Sequence, residues 1–132
     1  MKHCLLIDDD QDDQEIFRIC LNKINKDVYL TVVNDGIEGL RLLTLEDDYT
    51  PDYIFLDMNM PKMDGIECLR SLKKIARLRE TKIFMYSTTA ETSAVEESWK
   101  LGAEAFIVKP SKTSELKEKL ATIFQIVSEI NK

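Results

Sequence analysis

The chain has one histidine, His3, at the head of its first apolar run. It reads as a structural or exposed residue rather than a phosphate carrier, which sets aside a histidine kinase or a histidine phosphotransfer protein. Glycine is scarce, with four in the chain, and no glycine-rich phosphate loop is present, so a nucleotide site is not expected. The three cysteines, Cys4, Cys20 and Cys68, are odd in number, far apart and without a CxxC pair. That pattern fits a reducing compartment better than a disulfide framework. No apolar stretch reaches the roughly 18 residues of a membrane span, and the first residues run straight into a strand pattern. A cytoplasmic location is therefore expected, with neither span nor signal peptide. Basic residues are the minority, 18 against 24 acidic, for a net charge of −6. This balance argues against nucleic acid and anionic membrane as partners. Internal repeats, low-complexity stretches and domain linkers are also missing.

What is present is an ordinary globular composition of 132 residues, 44% apolar and 32% charged, enough for one domain with a real core. Four apolar runs each stop at a residue suited to phosphate chemistry. Leu5-Leu6-Ile7 stops at Asp8-Asp9-Asp10, Tyr53-Ile54-Phe55-Leu56 at Asp57, Ile83-Phe84-Met85-Tyr86 at Ser87, and Phe106-Ile107-Val108 at Lys109-Pro110. Short continuous runs of this kind are strands buried on both faces, as in a parallel sheet flanked by helices. All carboxyl ends of such a sheet lie along one edge, where ligand sites form. Carboxylates, a hydroxyl and an ammonium would then share one pocket.

Strand and helix patterns alternate throughout, predicting an α/β domain of five strands and five helices. Asp12 and Glu15 have the spacing of a capping box, opening a helix whose buried face is read as Ile16, Ile19, Cys20 and Ile24. Val28 to Val33 is a second strand, and Asn34-Asp35-Gly36 turns into a helix carrying Ile37, Leu40 and Leu43. Asp64-Gly65 with Glu67 starts a helix with a stripe of Ile66, Leu69, Leu72 and Ile75. Lys73, Lys74, Arg77, Arg79 and Lys82 read as a solvated face. The helix from about Thr92 to Leu101 has a weak stripe (Ala94, Val95, Ser98, Trp99) and is expected to be loosely held, with Trp99 and the methionines used for packing. In the last helix Leu116, Leu120, Ile123, Val127 and Ile130 form the stripe, leaving Phe124 and Ile126 exposed.

Asp10, Asp12 and Asp13 read as turn and cap residues. Asp57 does not: it follows four buried-type residues and lies too far from Asp64 to cap that helix. Gathered carboxylates repel one another unless a cation binds, and a hard divalent ion such as Mg²⁺ suits oxygen ligands. A carboxylate also attacks phosphorus to give an aspartyl phosphate, a transfer that needs little beyond alignment and charge stabilisation. Lys109 supplies such charge, aimed by Pro110 in either cis or trans form, and the Ser87 hydroxyl can donate to a phosphate oxygen.

Taken together, Leu5-Leu6-Ile7-Asp8-Asp9, the block from Phe55 to Gly65 with Asp57, Pro61 and Gly65 in Asp-x-x-x-Pro-x-x-x-Gly spacing, Tyr86-Ser87 and Val108-Lys109-Pro110 resemble the receiver domain of two-component response regulators. The resemblance covers essentially the whole chain. It implies a flavodoxin-like, doubly wound, five-stranded parallel sheet of order 2-1-3-4-5, an order taken from the family and not from the residues themselves. It implies Asp57 as phosphoacceptor, with Mg²⁺ held by Asp9, Asp57 and the Asn59 backbone carbonyl, and by Asp8 through water. Lys109 would contact the phosphoryl group, Ser87 would be the switch hydroxyl, and Phe106 the switch aromatic. Asn59 and Thr89 stand where the family tunes phosphoryl lifetime. Three features depart from the family: Thr88 where Ala is common, Ser111 where a large apolar residue is usual, and somewhat long loops after Asp9 and before Asp57.

The expectation is a single receiver domain over residues 1–132 without an output domain: a phosphoacceptor switch that assists its own phosphorylation and dephosphorylation. Its donor would be a histidine kinase or histidine phosphotransfer protein. Its output would be contact with a downstream protein through the fourth helix, fifth strand and fifth helix, with a homodimer left open. A haloacid-dehalogenase-type phosphatase is disfavoured because Asn59 replaces the acid needed two residues after the nucleophile. A receiver-like scaffold that is never phosphorylated is disfavoured by the intact set Asp8, Asp9, Asp57, Ser87 and Lys109.

Overall fold

The computed structural model describes residues 2–25 and 27–130, with side chains described up to Phe124. Strands β1 (Lys2–Ile7), β2 (Val28–Val33), β3 (Tyr53–Asp57), β4 (Lys82–Ser87) and β5 (Ala105–Val108) form one parallel sheet of order 2-1-3-4-5. Helices α1 (Gln11–Ile24), α2 (Gly36–Leu45), α3 (Gly65–Leu72), α4 (Thr92–Lys100) and α5 (Thr113–Ile130) connect and follow the strands, with one 3₁₀ turn at Ala76–Leu78. The chain thus has the expected flavodoxin-like architecture. Asp57 pairs in register with Tyr86, and Ser87 with Val108, which brings the acid, the hydroxyl and the Lys109 segment to one edge.

The central strands β1, β3 and β4 are apolar on both faces because both faces are covered, whereas β5, expected to be buried on both faces, lies at the sheet edge and is only part-buried, with Val108 42% exposed. Cys4, Leu6, Phe55, Phe84 and Tyr86 pack with Phe17 and Leu21 of α1 and Leu116 and Leu120 of α5. Leu5, Ile7, Ile54, Leu56 and Met85 pack with Leu43 of α2 and Cys68, Leu69 and Leu72 of α3. Each fully buried aliphatic or aromatic side chain contributes about 1.5–3 kcal/mol, so central β3, with all five residues buried, anchors the edge that carries Asp57.

Four further expectations are corrected. The α1 cap is Asp10, whose carboxylate accepts from the N–H groups of Asp12 (2.9 Å) and Asp13 (3.1 Å), so the helix starts one residue before the supposed Asp12 cap. Its buried face is Phe17, Cys20 and Leu21, while Ile16 and Ile19 are 36% and 45% exposed. Phe17 decides the rotation, because its ring meets Phe55 at 5.0 Å and Tyr86 at 5.8 Å edge-on. Phe124 is buried rather than exposed, its ring edge-on to Tyr53 at 4.6 Å. Trp99 is 64% exposed and does not pack into the core. The expectations for Ile126, Val127 and Ile130 lie outside the described side chains.

Arg77 also leaves the solvated basic face. Its guanidinium donates to the carbonyls of Leu43, Glu46 and Tyr49 and to the Thr50 hydroxyl, closing the end of α2 and the loop before β3. Helix α4 is held as loosely as its stripe suggests: its first residue follows Glu91, which makes no side-chain cap, and Ser98 is its one buried residue. An exposed Arg70–Glu97 ion pair at 2.9 Å ties it to α3. All peptide bonds among the described residues are trans, Lys109–Pro110 included. Among these residues no helix is long and apolar enough to cross a membrane.

Candidate functional site

Asp8 follows β1 directly, and three hydrogen bonds fix it there. Its N–H donates to the Val33 carbonyl (3.2 Å), its carboxylate accepts from the Asp10 N–H (3.0 Å), and its carbonyl accepts from the Gln14 amide (2.6 Å). Asp57 closes β3 and is 5% exposed, whereas Asp9 is exposed at the mouth. Carboxylate oxygens of Asp8, Asp9 and Asp57 all lie within 4.8 Å of one another. The Asn59 N–H donates to Asp57 Oδ1 at 3.3 Å.

Gly65, at the start of α3, gives the Asp-x-x-x-Pro-x-x-x-Gly block a physical reason. A Cβ there would stand 2.6 Å from the Asp57 carbonyl oxygen and 2.7 Å from the Met58 Cα. Bare backbone lets the Gly65 N–H reach the Met58 carbonyl (2.9 Å) and turns the loop tightly beneath the acid. Asp64 caps α3 by accepting from the Glu67 N–H at 2.9 Å.

Ser87 closes β4 fully buried, its hydroxyl accepting from the Thr89 N–H at 3.3 Å. Phe106 is half-buried and lines a cavity of about 70 Å³ together with Met58, Asn59, Ser87 and Thr89. Lys109 follows β5, its N–H bonded to the Ser87 carbonyl at 2.6 Å. Its Nζ lies 2.9 Å from Asp8 Oδ2, 2.9 Å from Asp13 Oδ2 and 3.7 Å from Asp57 Oδ1, above the Tyr86 ring at 5.1 Å.

The electrostatics follow from burial and like charge. Burial pushes the Asp57 carboxyl from 3.8 up to about 7; Lys109 pulls it down, and neighbouring Asp8 pushes it up again. Burial likewise raises Asp8, against the lowering effect of its bonds from the Asp10 N–H and Lys109. Burial alone would lower Lys109, yet its bonds to Asp8 and Asp13 hold it above its ordinary value, so the ammonium stays charged. One ammonium does not neutralise so many carboxylates. The donor set is all oxygen, partly buried and short of positive charge, which fits a hard divalent cation.

The five residues read from strand ends therefore meet at one edge. Asp13 joins them unannounced: it was read as a cap, yet it binds Lys109. The signal available was its place one helical turn beyond Asp9, on the side that faces the edge. Gln14 was also missed; its amide bridges the Asp8 carbonyl and Asn34 Oδ1 (2.9 Å), joining the loops after β1 and β2.

Comparison with known proteins agrees with this geometry. Residues 4–121 match the family described as response regulator receiver domain. The chain is 34% identical over 109 residues to the chemotaxis protein CheY of Listeria monocytogenes, covering 83% of this chain and 90% of that one. It is 35% identical over 109 residues to sporulation initiation phosphotransferase F of Bacillus subtilis, covering 81% and 84%. Among solved structures, the phosphorylated cyanobacterial phytochrome response regulator RcpA is similar at a TM-score of 0.85, with 26% identity and coverage of 92% and 90%. The Mn(2+)-bound form of response regulator Rcp1 is similar at 0.83, with 25% identity and coverage of 93% and 91%. The chain belongs to the response regulator receiver family of two-component signalling.

Proposed function

We propose that this receiver is a stand-alone phosphoacceptor switch. It takes a phosphoryl group from the phosphohistidine of a cytoplasmic kinase or phosphotransfer protein onto Asp57 and passes the signal by protein contact. The observation that carries the reading is the Asp57 carboxylate itself: buried, beside two further carboxylates and 3.7 Å from a charged lysine.

In the transfer, an Asp57 carboxylate oxygen attacks phosphorus. The O–P bond forms as the P–N bond to the donor imidazole breaks, and that bond's electron pair stays on the donor nitrogen. Asp57 must be ionised to attack, and Lys109 favours that form. Asp8, Asp9, Asp57 and the Asn59 carbonyl would hold Mg²⁺, which when bound supplies positive charge to the transferring oxygens. Lys109 orients and neutralises the phosphoryl group after transfer. Ser87 turns its hydroxyl toward a phosphoryl oxygen, and Phe106 follows into the space beside it. Loosely held α4, with β5 and α5, then presents a changed face to a downstream protein. The same residues, acting on water in place of a donor, assist loss of the phosphoryl group.

Incubation with acetyl phosphate and Mg²⁺ should add one phosphoryl group by intact mass. Asp57→Asn should add none; uptake by that variant sinks the assignment.

A further inference from the structure

Lys109 divides its hydrogen bonds unevenly: Asp8 and Asp13 each hold Nζ at 2.9 Å, while Asp57 stands off at 3.7 Å. Asp13 has no place among the three carboxylates whose oxygens converge, so its partner is the lysine rather than a cation. Its position is built in, because Asp10, the residue that caps α1, accepts the Asp13 N–H at 3.1 Å. The same cap that starts the helix thus fixes the stretch of backbone from which the Asp13 carboxylate reaches Lys109. That side chain is 31% exposed, whereas Lys109 is 7% exposed, so the contact is screened only in part.

We propose that Asp13 is a positioning residue that parks the Lys109 ammonium away from the phosphoryl site. This rests on the reading of Asp57 as phosphoacceptor. An anionic group on Asp57 draws Lys109 toward it, and that movement gives up the bond to Asp13. Asp13 therefore opposes the phosphorylated state, both by competing for the lysine and by repelling the anion. Toward a cation its effect is opposite: by neutralising Lys109 it weakens the repulsion between that ammonium and an ion at Asp8, Asp9 and Asp57.

Two titrations on the full chain separate these effects. At saturating Mg²⁺, Asp13→Asn should bind beryllofluoride about threefold more tightly than wild type, and in calorimetry without beryllofluoride it should bind Mg²⁺ about threefold more weakly. Asp13→Glu should return both constants toward wild type. A purely structural role predicts both constants weakening together with a lower melting temperature; that outcome, or two unchanged constants, overturns the proposal. Should wild-type protein take up no beryllofluoride, the phosphoacceptor reading fails. The Mg²⁺ arm then decides the role of Asp13 alone, an unchanged constant refuting it.

Discussion

The Asp57 carbonyl oxygen and the Gly65 Cα are so close that a methyl group on Gly65 would stand 2.6 Å from that oxygen. The two nearest atoms it meets, the Asp57 carbonyl oxygen and the Met58 Cα, are backbone, which cannot swing aside. Gly65→Ala gains helix propensity worth under about 1 kcal/mol but forces the loop off Asp57, for a net loss of about 1–3 kcal/mol. Urea unfolding of the variant checks this; equal or greater stability would contradict it.

The raised Asp57 carboxyl has a consequence for stability in protein stripped of divalent ions. Its folded value of about 7 lies above the ordinary 3.8, so the native state holds a proton the unfolded chain releases. This contribution is full below about pH 4 and is lost as pH rises toward 7. Asp8 is shifted in the same direction and adds to the slope. Melting temperatures in EDTA should fall over this window relative to Asp57→Asn, and Mg²⁺ should shrink the difference. A wild-type profile parallel to that of the variant would contradict the account.

Phe124 and Trp99 reverse their expected places, and mutation reads this directly. Phe124→Ala should cost about 3–5 kcal/mol, because it empties the space beside Tyr53. Trp99→Ala should stay within about 0.5 kcal/mol. Chemical denaturation of the two variants gives both numbers, and similar losses would refute the packing described.

Arg77 and Arg79 look alike in the sequence and differ in the fold. Arg77→Ala takes a donor from three carbonyls, that of Glu46 keeping the Tyr49 N–H, and should cost about 1–3 kcal/mol, while exposed Arg79→Ala should be nearly silent. Arg77→Lys should recover only part of the loss, since an ammonium lacks the planar fork that spans those acceptors. Full recovery in thermal unfolding would contradict the clamp.

These reversals show what a sequence of this kind makes legible. The sheet and the convergence of Asp8, Asp9, Asp57, Ser87 and Lys109 on one edge could be read because each side chain is placed by the strand it terminates, and an apolar run ending in Asp, Ser or Lys is visible without any partner. The face of α1 could not be settled by period alone. Ile16-Ile19-Cys20 and Phe17-Cys20-Leu21 both satisfy helical spacing, and the choice falls to rings supplied by Phe55 and Tyr86, far along the chain. Phe124 is hidden for the same reason, its partner Tyr53 being supplied by another element. Asp13 and Arg77 escaped because their partners are distant: Lys109 lies 96 positions from Asp13, and the Leu43 carbonyl 34 from Arg77. Local propensity sees a cap and a solvated cation; the tertiary fold makes them an ion pair and a clamp.

The most direct test of a phosphoryl group carried on the β3 carboxylate is chemical trapping. Protein charged with acetyl phosphate and Mg²⁺ is reduced with borohydride, which converts an acyl phosphate to an alcohol, and the altered residue is located by tandem mass spectrometry. The account predicts reduction at position 57 alone, converting Asp57 to homoserine. Reduction at Asp9 or another acid, or none in protein whose mass shows the added group, would contradict it.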